Sequence, residues 1–208
     1  MAVQEENALD YMQKKLILTG FEPFGGEAVN PAWEAVKRLE GEIGPYRVHA
    51  IEIPTVFGAA ARAVLAAAEA IDPDGILCVG QAGGRAAVTP EMAALNLRYA
   101  SIPDNAGRQP QDEPVVPGGP AAYFATAPVR AMARAMEAAG VQSAVSYSAG
   151  TFVCNDLLYT LLHRYAGTRV RVGFIHVPYL PEQAAGKGAP SLPLESMVAA
   201  LRAAVLAL

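Results

Sequence analysis

The chain has 208 residues, 52% of them hydrophobic and 17% charged, with a formal net charge of -4. That balance suits one globular domain with a substantial core, and it gives no electrostatic case for nucleic acid or an anionic membrane as a partner. No run reaches the roughly 18 apolar residues of a membrane span, and the opening MAVQEENALDYMQKK carries no apolar segment of the secretory kind. Two cysteines, Cys78 and Cys154, could form one disulfide, but a chain of this size does not need a staple, so the expected setting is the reducing cytoplasm with both thiols free.

Residues 1–11 read as an N-terminal extension, with disorder left open, ahead of a single domain over 12–208. Strands and helices then alternate. Lys15–Thr19 is a short apolar strand. Asn30 caps a helix over NPAWEAVKRLEG, with Pro31 at its first position. Tyr46–Pro54 is a strand, and Thr55 is a candidate cap for the alanine-rich helix VFGAAARAVLAAAEAI. Gly75–Gly80 is a buried strand containing Cys78. MAALNLRYASI reads as strand-like, and about 103–122 is a long irregular stretch of the kind that is functional or disordered. Ala127–Gly140 is a helix capped by Thr126, SAVSYS is strand-like, and a helix follows Cys154 with Leu157, Leu158, Leu161 and Leu162 on one face. Arg169–Pro178 is a strand, and a last helix runs from about Leu194 to Leu208. This alternation implies an α/β fold, a three-layer α/β/α sandwich around a mixed, mostly parallel sheet. The ligand site of such a fold lies beyond the carboxyl ends of the strands.

The segments at those ends are TGFEPFGGEAVNP, GQAGGR running into VTPE, SAGTFVCN and IHVPYLPEQ. Gly25-Gly26 and Gly83-Gly84 would let a backbone approach an anion, but neither matches a dinucleotide fingerprint or a P-loop. His49, His163 and His176 show no metal-ligand spacing. His49 reads as structural and His163 as a helix-end or surface residue. Cys154, at the front edge of its helix, is either a small buried hydrophobe or a nucleophile beside unpaired N–H groups. With His176 at a strand end and Glu91 after a Gly-rich turn, the chain holds the parts of a Cys–His–acid triad.

Four motifs, ILTGFEPFGGE, GQAGGR, IPDNAG, and AGTFVCN with GFIHVPYLPEQ, resemble the pyrrolidone carboxyl peptidases, also called pyroglutamyl peptidases type I, in the family's order and over nearly the whole chain. The resemblance implies a cysteine omega-peptidase that acts on peptides with an N-terminal pyroglutamate, without metal or cofactor, and a homo-oligomer, a tetramer by resemblance. It makes Cys154 the nucleophile, His176 the base and then acid, and Glu91 the orienting carboxylate. Phe21 and Phe24 become plates for the lactam ring, Gln81 a partner for its amide edge, and Phe152 and Val153 pocket residues. Two positions depart from the family's pattern: Met92 stands where Arg usually follows the Glu, and Tyr99-Ala100-Ser101 replaces Asp-Ala-Arg, which puts oxyanion electrostatics in doubt. Arg85 and Arg98 are candidates to fill that space. Two rivals stand beside this reading. A glutamine amidotransferase would carry its Cys in a Gly-x-Cys-x-Gly turn, which Val153 and Asn155 do not provide. A lactam-binding module would have kept the pocket and lost efficient catalysis.

Overall fold

A computed structural model describes residues 13–208, so the extension over 1–11 lies outside the described residues. The strands are β1 (Lys14–Phe21), β2 (Gly41–Ile43), β3 (Tyr46–Ile53), β4 (Gly75–Gln81), β5 (Thr89–Pro90), β6 (Ala93–Leu95), β7 (Ala122–Phe124) and β8 (Arg171–Val177). The helices are α1 (Pro31–Val36), α2 (Ala59–Ile71), α3 (Val129–Ala138), α4 (Val153–Arg164), the single turn α5 (Pro181–Ala184) and α6 (Leu194–Leu206). Six strands form the main sheet in the order β2-β3-β1-β4-β8-β5, while β6 and β7 pair separately. The four central strands are parallel, and the short edge strands β2 and β5 run antiparallel to their neighbours.

Alternating side chains of the central strands feed two separate cores. Leu16 and Leu18 of β1, Leu77 and Val79 of β4, and Ile175 and Val177 of β8 pack with α1, α3 and α6. Ile17, Ile76, Cys78, Val172 and Phe174 pack on the other face with α2 and α4. A sheet covered on both faces needs apolar residues at every position, which is why these strands read as continuous hydrophobic runs. The three layers expected from the sequence are these. At Gly20 an added Cβ would lie 2.5 Å from the Trp33 backbone, so a glycine is what lets α1 lie against β1. The chain leaves β1 toward β3 on one side and returns to β4 on the other, which opens a crevice at the carboxyl ends of β1 and β4.

Several local expectations are corrected. Asn30 does cap α1 by accepting from Ala32 N–H at 3.0 Å, but the helix ends at Val36 and continues as a 3-10 turn over Lys37–Leu39. Thr55 does not cap α2, which starts after Gly58. Its hydroxyl instead donates to the Glu22 carbonyl at 3.1 Å. Thr126 does not cap α3, whose N-cap is Pro128, because its Oγ1 accepts from the Val172 N–H at 2.8 Å and so ties the loop to β8. Only Ala93–Leu95 of MAALNLRYASI is strand, and SAVSYS makes isolated bridges at Ser143 and Ser146. Both stretches have the residue pattern of strands, but outside Ala93–Leu95, which pairs with β7, their backbone groups serve side chains and isolated bridges. Among the described residues no helix is long and apolar enough to cross a membrane.

Candidate active site

Cys154 is the second residue of α4 and is partly exposed. The N-cap residue is Phe152, whose side chain cannot accept a hydrogen bond, so no side chain caps the first turn. The N–H groups there stay available, with the positive end of the helix dipole behind them. Two side chains of the same turn fix where α4 begins. Asn155 is fully buried; its Oδ1 accepts from Leu95 N–H at 2.8 Å, and its Nδ2 donates to the carbonyls of Leu95 and Leu97, each at 2.9 Å. Asp156, also buried, accepts from Gly58 N–H at 2.7 Å and from Arg98 Nε at 2.6 Å. Gly80 on β4 leaves room for the sulfur, since a Cβ there would meet Cys154 Sγ at 3.0 Å and Phe174 Cζ at 2.9 Å.

His176 is the sixth residue of β8 and is 4% exposed. Its Nδ1–H donates to Glu91 Oε1 at 2.6 Å. Glu91 follows β5, and its N–H donates to the Phe174 carbonyl at 2.8 Å, which seats the carboxylate beside the imidazole. The same Oε1 accepts from Arg85 Nη1 at 2.6 Å, and Glu91 Oε2 has no partner among the described residues. With Nδ1 committed to the carboxylate, Nε2 is the nitrogen free to exchange protons. No hydrogen bond joins the imidazole to the sulfur among the described residues, but both side chains line one cavity. Catalytic hydrogen bonds are often loose in an empty site.

Burial pushes the Glu91 carboxyl up, but the His176 hydrogen bond and the His176 and Arg85 charges outweigh it and hold the group below its ordinary range. Burial likewise pulls His176 below its usual value despite Glu91. Burial and then the Glu91 charge push the Cys154 thiol up. Both shifts favour the neutral thiol and the neutral imidazole in the resting site. Cys78, fully buried in β4, is pushed up to about 12 by burial.

The cavity holds about 590 Å³ and opens at the carboxyl ends of β1, β4 and β8. Phe21, Phe24, Gln81 and Phe152 line it with Cys154 and His176, and Glu91 stands behind His176. Val153 does not line it: as the first residue of α4 its side chain is 0% exposed and turned into the core under the sheet. Phe152 packs on Phe24 with ring centroids 6.3 Å apart and on Phe57 edge-on at 5.3 Å, so the aromatic wall is itself braced.

Sequence reasoning missed Asn30, Thr55, Gly83, Tyr99, Ile102 and Thr151 as parts of the wall. It also missed what IPDN does. Asp104 accepts from Phe57 N–H at 2.9 Å and from the N–H groups of Ala106 and Arg108, while Asn105 Nδ2 donates to Glu22 Oε1 at 2.8 Å and the Pro23 carbonyl at 2.9 Å. The irregular 103–122 stretch thereby clamps the turn that carries Phe21 and Phe24.

Ser101 stands in the cavity wall; Arg98 is held by Asp156, and Arg85 is held by Glu91 and by Thr89 at 2.5 Å while its charge still favours the Cys154 thiolate. Met92 lies away from the cavity, near Ala127 and Arg134. His163 is hydrogen-bonded to Tyr123 at 2.9 Å and stacks on Tyr159, and His49 is a partly buried residue of β3. Among the described residues no group of three or more His, Cys, Asp or Glu side chains is disposed to hold a metal ion.

The family model described as "Pyroglutamyl peptidase" matches residues 14–208. The chain belongs to the pyroglutamyl peptidase family. It is 51% identical over 198 residues to the pyrrolidone-carboxylate peptidase of Bacillus licheniformis, covering 94% of this chain and 92% of that one. Identity to the Chromobacterium violaceum pyrrolidone-carboxylate peptidase is 55% over 194 residues, covering 92% and 91%. The crystal structure of pyroglutamyl peptidase I from Bacillus amyloliquefaciens superposes with a TM-score of 0.92 at 49% identity, covering 94% of this chain and 95% of that one. A mutant pyrrolidone carboxyl peptidase from Pyrococcus furiosus superposes with a TM-score of 0.89 at 41% identity, covering 93% and 97%. These structures share the α/β fold, and the family model spans the described region from Lys14 to Leu208.

Proposed function

We propose that this chain is a pyroglutamyl peptidase of type I that hydrolyses the amide bond after an N-terminal pyroglutamyl residue, with Cys154, His176 and Glu91 as its triad. As Sγ attacks the scissile carbonyl carbon, His176 Nε2 takes the thiol proton, and the negative oxygen is held by the uncapped N–H groups at the start of α4. The C–N bond then breaks. The amine leaves with the proton from His176, and a pyroglutamyl thioester remains on Cys154. Water, deprotonated by His176, attacks the thioester and releases pyroglutamate and the thiol. Glu91 holds the ring tautomer and steadies the imidazolium throughout.

The observation that most supports this reading is the 2.6 Å hydrogen bond from a buried His176 to a buried Glu91, on the same cavity as a cysteine at an uncapped helix start. The bias toward a neutral resting pair fits a base that acts only as attack proceeds. Phe21, Phe24 and Phe152 suit the flat faces of a lactam, and Gln81 suits its amide edge. Proline has a ring but no ring carbonyl, and it would leave the polar group unpaired. Single domain organisation over 12–208, a homotetramer and a cytoplasmic setting belong to the same proposal. A lactam-binding module is not favoured, because it has no use for the His176–Glu91 pair behind the cysteine.

Rapid quenching during turnover of a pyroglutamyl ester tests the covalent step. The expected result is a transient mass gain of one pyroglutamyl group, mapped by peptide digestion to Cys154. Turnover with no such adduct under any quench time, or an adduct on Cys78, would contradict it.

A further inference from the structure

The carboxamide of Gln81 sits in the cavity wall, and a carboxamide can present either a donor or an acceptor. Which of the two it presents is decided outside the cavity, by Gln183. This residue of α5 is 8% exposed and does not itself line the cavity. Its Oε1 accepts from the Leu180 backbone N–H at 3.1 Å. Its Nε2 donates to the Val29 carbonyl at 3.1 Å and to the Glu27 carboxylate at 3.2 Å. A backbone N–H only donates, and a carbonyl or a carboxylate only accepts, so the orientation of the Gln183 amide is forced. Lys187 pairs with Glu27 and keeps that carboxylate ionised.

The Gln183 Nε2 also faces Gln81 Oε1 at 3.0 Å; its two hydrogens are shared among three acceptors, and it has no lone pair to offer an N–H. Gln81 must therefore turn its oxygen toward Gln183. Its own Nε2 has no protein partner among the described residues and is not sealed from solvent, so it is left to the cavity. We propose that Gln183 is a positioning residue that locks Gln81 as a hydrogen-bond donor, so that this side chain reads the ring carbonyl of the substrate and not the ring N–H. The proposal rests on the pyroglutamyl peptidase reading above.

The test compares a pyroglutamyl amide with its thiolactam counterpart, in which the ring carbonyl oxygen is replaced by sulfur, a weak acceptor. It uses the full chain, the Gln183→Glu variant and the Gln183→Met variant. Gln183→Glu keeps the side-chain size and the acceptor for Leu180 but loses the amide donor. The unaltered enzyme should turn over the thiolactam with kcat/KM lower by about tenfold or more, as expected for loss of one buried hydrogen bond. In variants that fold, as judged by circular dichroism, the ratio should fall to about threefold or less, with the loss on the oxo substrate carried mainly by KM. Equal rates of the unaltered enzyme on the two substrates would overturn the proposal without recourse to any variant. Folded variants that keep the original ratio would also overturn it, by showing that Gln183 does not set the polarity. Absence of Cys154-dependent turnover of the oxo substrate would instead refute the underlying functional reading.

Discussion

The hydrogen bond from His176 Nδ1–H to Glu91 decides which ring nitrogen works, and burial, opposed by Glu91 and aided by Arg85, sets how basic that nitrogen is. Burial already lowers the His176 pKa, and the Arg85 charge lowers it further. The proposed reaction needs the neutral base, so the acid limb of kcat/KM should lie below the ordinary histidine range. In Arg85→Gln a cation that opposes protonation is gone, the His176 pKa rises, and the acid limb moves to higher pH. Activity near pH 6 should drop by about threefold or more while activity near pH 8 changes little. A pH–rate profile checks this. Ser101 offers a second test at the same scale. Among the described residues the cavity wall holds no Arg or Lys side chain, and Arg85 and Arg98 are paired with carboxylates. Ser101→Arg should place a cation near the sulfur, speed iodoacetamide labelling of Cys154 at pH 7 and raise kcat/KM by about tenfold. The three residues proposed as the triad stand out in the sequence because each sits at a strand end or helix start within a recognisable motif. Val153 was misread because adjacency to the nucleophile says nothing about which way the first residue of a helix points.

At the scale of elements, α4 works only if its first turn stays in register with the sheet, and Asn155 enforces that register. Its carboxamide satisfies one N–H and two carbonyls of the Leu95–Leu97 segment, standing in for a neighbouring strand. Asn155→Ala would leave these buried groups unpaired. It should cost about 2–3 kcal/mol of stability, read from the denaturant midpoint, and it should also lower kcat because the helix start would shift. Strands and helices with a full hydrophobic face were readable from periodicity: β1, β3, β4 and β8, and the buried faces of α4 and α6. What failed was punctuation. Thr55 and Thr126 have the residue type of a cap, yet each spends its hydroxyl on a distant carbonyl or N–H, at Glu22 and Val172. A single sequence does not reveal a hydrogen bond to a partner so far along the chain.

For the whole molecule, the arrangement follows from a strand order that reverses between β1 and β4. The crevice there gathers Phe21 and Phe24 from β1 and its following turn, Gln81 from β4, His176 from β8 and Cys154 from α4. Alternation of strands and helices announced this α/β/α architecture, and with it the end of the sheet where the cavity lies. The clamp formed by Asp104 and Asn105 was not legible, because its partners Glu22, Pro23 and Phe57 are dozens of residues away. The measurement that bears most directly on the account is hydrolysis of a fluorogenic pyroglutamyl amide beside its prolyl and glutamyl analogues, with the unaltered chain and with Cys154→Ala. The account predicts turnover of the pyroglutamyl substrate alone, lost by a factor of about 10³ or more in a Cys154→Ala variant that melts like the parent. Turnover that survives Cys154→Ala, or a parent chain that binds pyroglutamate and cleaves nothing, would contradict it.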